Sequence, residues 1–252
     1  MLHFFRKIRR ELLAKSQFFK YLKYAVGEIV LVVLGILIAL SINNWNERNK
    51  ERRVEDEYLE RISLDIQKDI DYLEGKIRFT SINSESFQLF IEEMHRIQRT
   101  RQDMIRLISS VNWDAQNILI QDKTYAEIIS SGKLSMISQK RLKESIDEYY
   151  RNCKRIQQHI SEMSQTGINL FLPVYTITLK YYDVYSFYDN QMYHDSNWEF
   201  INDPTSKDFR ELEGAAGYYY WKHLNYNKYC EELLKEAEDL SYQLQRNKVR
   251  NP

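Results

Sequence analysis

The stretch from Tyr24 to Asn44 reads YAVGEIVLVVLGILIALSINN and carries one charge, Glu28. From Ile29 to Leu40 no side chain is polar. A helix rises about 1.5 Å per residue, so about 20 residues cross the roughly 30 Å of a bilayer's hydrocarbon. The run predicts a transmembrane helix over 24–44, with Trp45 at one lipid–water boundary and Tyr21 and Tyr24 at the other. A cleaved signal peptide is the competing reading, because Ala39-Leu40-Ser41 loosely fits a small-residue cleavage site. The long basic leader and the membrane-crossing length favour the anchor.

Within the span, Glu28 is a functional candidate as an ionisable group in lipid. It also lies about one turn from the end, within reach of headgroups and Lys23, which favours a plain snorkelling role. Gly27 precedes it directly, a spacing that does not fit a prepilin processing site. Gly35 and Ala39 form a small-xxx-small pair through which two anchors can pack.

Charge sets the expected orientation. Residues 1–23 hold seven basic side chains and one acidic, although the whole chain has 36 of each sign. Arg48, Lys50, Arg52 and Arg53 follow the span, interleaved with Glu47, Glu51 and Glu55. The basic excess before the span places the N-terminus in the cytoplasm and the rest outside. Phe5, Ile8, Leu12, Phe19 and Leu22 recur at helical spacing, so 1–23 reads as an amphipathic leader in the headgroup layer. An unstructured basic tail is the alternative. A basic leader on an acidic body does not suit nucleic-acid binding.

The stretches FFRKIRRELL (4–13) and KYLKYAVGEIVLVVLGILIALSINNWNE (20–47) resemble the N-terminal signature of an uncharacterised bacterial membrane-protein family, typical of Gram-negative Bacteroidetes and known only as a domain of unknown function. TYAEIISSGKLSMISQKRLKESIDEYY (124–150) resembles a second, looser block of the same family. The resemblance implies a single-pass protein of the bacterial inner membrane with most of its chain in the periplasm. It implies no catalytic or ligand-binding residue.

The body, 45–245, is expected to be all-α, an antiparallel bundle of long helices. With 7 Gly and 3 Pro in 252 residues, few positions favour turns. Tyr58, Ile62, Ile66, Ile70, Leu73 and Ile77 form one stripe on a helix that could continue the anchor. Phe87, Phe90 or Ile91, Met94 and Ile97 extend it beyond a Ser-rich stretch, 81–86, which reads as a bend or short turn. Short helices are expected over Met104–Val111 and Tyr125–Ser130, the second stopped by Gly132. Ser138 reads as the N-cap of a helix bearing Leu142, Ile146, Tyr149, Cys153, Ile156, Ile160 and Met163, which ends or kinks at Pro173. The last seam runs Phe209, Leu212, Ala216, Tyr219, His223, Tyr226, Cys230, Leu233, Ala237, Leu240 and Leu244. Residues 246–252 read as a frayed tail. The 19 Tyr suit helix seams, rings buried and hydroxyls in water.

Chemistry is sparsely signalled. His3, His95, His159, His194 and His223 fall in no metal-binding spacing, and His223 reads as a satisfied core residue. Nothing matches a nucleophile elbow, a phosphate loop or a dinucleotide fingerprint. Asp69/Asp71 and Glu231/Glu232 read as solvated pairs. Cys153 and Cys230 lie on seams expected to pack together, either as a disulfide or as two buried thiols. The aromatic stretch 181–205, with Tyr185, Tyr188, Tyr193 and Trp198, is either a binding loop or a connection folded over the bundle end. His194-Asp195 within it is the best site for an enzymatic alternative.

The expected function is therefore a non-enzymatic interaction or scaffold module without a cofactor. Its expected partners are the lipid bilayer and either a second copy or another envelope protein, with any small-molecule ligand unassigned. The main alternative is a ligand-sensing bundle that signals through its anchor to a separate cytoplasmic partner.

Overall fold

A computed structural model describes Arg6 and residues 18–96, 98–181 and 199–250. The order is α1 (Phe18–Met94), α2 (Arg101–Ser109), α3 (Lys123–Ser130), a 3-10 turn (Lys133–Met136), α4 (Lys140–Tyr181), a 3-10 turn (Glu199–Asn202) and α5 (Lys207–Arg250). The described residues contain five α-helices and no strand. The chain divides into two compact units, 1–57 and 58–252.

In the first unit α1 carries the apolar run. A window of it is long and apolar enough to cross a membrane and is wholly unburied. Leu31, Ile36 and Ile38 are 72%, 56% and 59% exposed. Apolar surface of this size left to water is strongly unfavourable, at about 25 cal/mol per Å². Most of the amphipathic leader, 1–17, lies outside the described residues apart from Arg6.

In the second unit α1 continues without interruption through 81–86, so no turn breaks the helix there. The polar side chains there bond back onto their own helix. Asn83 Nδ2 donates to Phe79 O at 2.7 Å, Ser84 Oγ to Ser81 O at 2.8 Å and Ser86 Oγ to Ile82 O at 2.8 Å. Serine in this mode decorates a helix without breaking it. Asn227 of α5 adds bonds to Ile77 O, Thr80 Oγ1 and Ser81 Oγ, all within 3.0 Å.

Contacts between α4 and α5 climb one helix as they descend the other: Asn152 with Glu236, Arg155 with Glu232, and Tyr218 with Met163 O. Where they approach closely, a Cβ on Gly167 would lie 3.4 Å from the Tyr219 ring. All eleven residues of the expected α5 seam are buried. The seam of α4 is buried from Leu142 to Ile160, and Met163 is half-buried. One core cluster joins Phe87, Phe90 and Met94 of α1 to Met104 and Ile108 of α2 and to Phe209, Leu212 and Tyr219 of α5. Trp113 meets Phe87, Phe90, Phe171 and Tyr219 at centroid distances of 4.9–5.6 Å. Such ring pairs add about 0.5–1.5 kcal/mol each beyond their buried area.

Boundaries differ from expectation in four places. Helix α4 starts at Lys140, so Gln139 stands at its N-cap and Ser138 one residue earlier. Pro173 sits inside α4, which runs on to Tyr181; proline removes one ladder bond but does not forbid continuation. Helix α5 reaches Arg250 with Asn247 buried, so 246–250 is helical and not a frayed tail. The first unit also takes in residues 45–57. Gly132, at φ +68°, ends α3 in the left-handed conformation that glycine adopts without penalty.

Candidate functional site

The polar interior is organised around a stretch that is neither helix nor strand, residues 112–122. Among the described residues, no backbone group from 113 to 121 bonds to another backbone group. Buried peptide groups need partners, and here the helices provide them as side chains. Tyr219 donates to Trp113 O (2.7 Å), Ser164 to Gln116 O (2.8 Å), Tyr72 to Asn117 O (3.3 Å) and Tyr150 to Gln121 O (3.3 Å). The Tyr72 hydroxyl also accepts from Leu119 N (3.1 Å), and Asp69 Oδ1 accepts from Gln121 N (2.8 Å). Lys76 donates to the Gln116 side chain at 2.8 Å, while Lys222 reaches Asp114 O at 3.4 Å. Ile118 and Ile120 turn inward and Leu119 outward, the alternation of an extended chain. We call this stretch the strap.

The seam tyrosines therefore do not send their hydroxyls to water. The stripe on α1 differs too, with Asp69 wholly buried and Ile70 half-buried. Asp69 is not half of a solvated pair, although Asp71, Glu231 and Glu232 are exposed. Burial raises the Asp69 carboxyl from 3.8 to about 6, against the lowering effect of its bonds from Gln121 N and the Tyr149 hydroxyl (3.0 Å). Asp65, one turn earlier, accepts from Thr124 Oγ1 at 2.5 Å. The two carboxylates thus face the N-terminal end of α3, where negative charge is favoured. On α3, Glu127 accepts from Arg61 and Tyr58, and these bonds lower its carboxyl to about 2.

Two adjacent basic residues of α5 are also interior. Lys222 is 1% exposed, its ammonium 4.0 Å from the Tyr219 ring centroid, and burial lowers it to about 8. His223 is fully buried, stacked on Phe87 at 5.7 Å, and neither ring nitrogen has a hydrogen-bond partner. Burial first, then Lys222 and Lys76, lowers it to about 3. His223 is thus a core residue but an unsatisfied one, because the rings around it offer no acceptor.

Cys153 and Cys230 are free, buried thiols, so the disulfide alternative is not realised. Burial raises both, Cys230 to about 12. Among the described residues, no three His, Cys, Asp or Glu side chains converge on a common point. Gly27, Glu28, Gly35, Ala39 and Trp45 are all exposed on α1, and a Cβ on Gly27 or Gly35 would meet nothing within 4 Å. Tyr185, Tyr188, Tyr193, Trp198, His194 and Asp195 lie outside the described residues, as does Ile97.

Among the buried groups, apart from thiols and phenols, Asp69, Lys222 and His223 have the most shifted proton affinities. Asp69 Oδ1 and the Lys222 ammonium are spent on the strap and Asp69 Oδ2 on Tyr149, and all three residues are closed to solvent. Sequence reasoning missed Asp69 and Lys222 because a charge at a seam position reads as surface. The available signal was spacing, since Asp69 lies three residues after Ile66 and four before Leu73.

Among the described residues, these observations define an all-helical protein with one helix long and apolar enough to cross a membrane. The chain matches a family of unknown function, DUF6090, over residues 28–191, and belongs to it. No curated protein matches it. No solved structure matches it either.

Proposed function

We propose that the chain is a single-pass protein of a bacterial inner membrane, with its N-terminus cytoplasmic and its body an antiparallel helical bundle in the periplasm that acts as a non-enzymatic protein-interaction module. The observation that carries the reading is the unburied apolar run of α1 from Leu22 to Ile42, which finds no protein cover within its unit. The basic excess before it supports the orientation. The interaction reading draws support from the interior, where Asp69 and Lys222 hold the chain's own peptide groups and are closed to any substrate.

The test joins topology to partnership. Alkaline phosphatase fused after residue 60 is active and after residue 20 inactive, and alkaline carbonate leaves the full chain in the membrane pellet. Crosslinking in intact membranes then recovers a dimer or one recurrent partner. Activity of the residue-20 fusion would reverse the orientation, and monomer alone after crosslinking would remove the interaction role.

A further inference from the structure

We infer that the depression between the end of α1 and α2 is an anion site that takes a phosphate group. It is open, with a volume of about 470 Å³, and its lining includes Arg96, Arg99, Arg106, Glu93 and Asp103. The inference concerns the second unit alone and does not depend on the membrane reading.

Arg99 is the fixed element. Its Nη1 donates to Glu93 O at 2.7 Å and its Nη2 to Ile201 O, and its guanidinium lies 5.6 Å from the Phe209 ring centroid. Its backbone exchanges two bonds of 3.0 Å with the Asn202 side chain. Both guanidinium acceptors are neutral carbonyls, and Nε is buried without any acceptor. The charge is therefore held in place, partly desolvated, and among the described residues no carboxylate lies within ion-pair distance of it.

The two acids lining the depression each have partners of their own. Asp103 closes the capping box of α2, its carboxylate accepting from Thr100 N at 3.0 Å and Thr100 Oγ1 at 2.6 Å. Its other oxygen, Oδ1, makes a long contact of 3.6 Å with Arg106. Glu93 pairs with Arg96 at 2.7 Å, and the side chains of Arg96 and Arg106 are 72% and 76% exposed. Exposed pairs of this kind are weak, so both arginines can turn inward at little cost. Three guanidiniums against two carboxylates then leave an excess of one positive charge. Planar forked donors match phosphate oxygens better than they match a spherical anion such as chloride. Gln98, also in the lining, holds φ +63°, a conformation that non-glycine residues adopt rarely and that is found more often at ligand sites. A soluble phosphate ester and a lipid headgroup both present this chemistry.

The test uses the full chain in phosphatidylcholine nanodiscs, titrated calorimetrically with inorganic pyrophosphate in chloride buffer. One saturable site is expected, weakening as chloride rises from 50 to 300 mM. Arg96→Ala with Arg106→Ala, both exposed and so compatible with folding, weakens it at least tenfold at unchanged far-UV circular dichroism. Arg99→Lys, which keeps the charge and loses the fork, weakens it several-fold. Repeating the titration with 30% phosphatidylglycerol separates the sources: a lowered apparent affinity assigns the site to a headgroup, and an unchanged one to a soluble phosphate. No saturable heat with the wild type, or equal affinity for the wild type and the double variant, overturns the proposal.

Discussion

Replacing Asp69 with Asn should make the protein more stable at neutral pH. The carboxyl has no exposure and rises from 3.8 to about 6 on folding. Between those values the folded protein binds a proton that the unfolded chain has released. Stability therefore falls as pH rises through the window, and above pH 6 the full cost of the buried charge, about 3 kcal/mol, is in place. An amide can keep both contacts. Its Oδ1 accepts from Gln121 N, and its Nδ2 donates to the Tyr149 oxygen, whose own proton turns to the neighbouring Cys153 sulfur. Bonds to a neutral group are weaker than bonds to a carboxylate, so the net gain at pH 7 is roughly 1–3 kcal/mol. For a body of this size that is about 2–12 °C in melting temperature. Near-UV circular dichroism melts of the full chain in neutral detergent at pH 7, 5.5 and 4 give the reading. The gain should be largest at pH 7 and mostly gone at pH 4. An Asn variant that melts lower than wild type at pH 7, or whose gain is the same at pH 4, would refute the reasoning. Asp69→Leu should go the other way by about 2–5 kcal/mol, because it strands two buried donors.

Three further outcomes are expected. His223 is lowered by burial to about 3 from an ordinary 6.5, so its contribution is present above pH 6.5 and drains as pH falls. In an Asp69→Asn background, which removes the overlapping carboxyl titration, His223→Phe should spare about 2 kcal/mol of the loss between pH 7 and 5, read from melts. Asn227→Ala breaks three bonds to α1 and should cost about 1–3 kcal/mol in urea unfolding. Cys153 and Cys230, both buried and with raised thiols, should resist maleimide for hours at pH 8 and label fully in denaturant; rapid labelling of the native protein would contradict their placement.

The helices were legible because burial on one face repeats with the helical period. Ile62, Ile66 and Leu73 on α1, and every residue from Phe209 to Leu244 assigned to the α5 seam, are buried as their spacing implies. The polar interior was not legible, because it depends on which stretch lies opposite. Tyr72, Ser164 and Tyr219 look like ordinary seam residues until residues 113–117 are laid beside them. Asp69 and Lys222 sit on seams, but charge hid them. One local reading failed for a different reason. The serines after Thr80 are a turn signal in a short peptide, and a long helix packed on its neighbours absorbs them; at Pro173, the expected site of an end or a kink, the helix does not end. The anion-site arginines left no periodic trace, since Arg99 is positioned by Ile201 and Asn202 from about a hundred residues away.

The helices grasp the strap mostly by its peptide groups, which every amino acid except proline shares in full. Identity at Asp114, Ala115 or Asn117 should therefore matter little, whereas the hydroxyls that reach across from Tyr72, Ser164 and Tyr219 are hard to replace. Mutational tolerance in this region would run opposite to the usual expectation, with an irregular connection free to drift and the regular helices around it held to their polar letters.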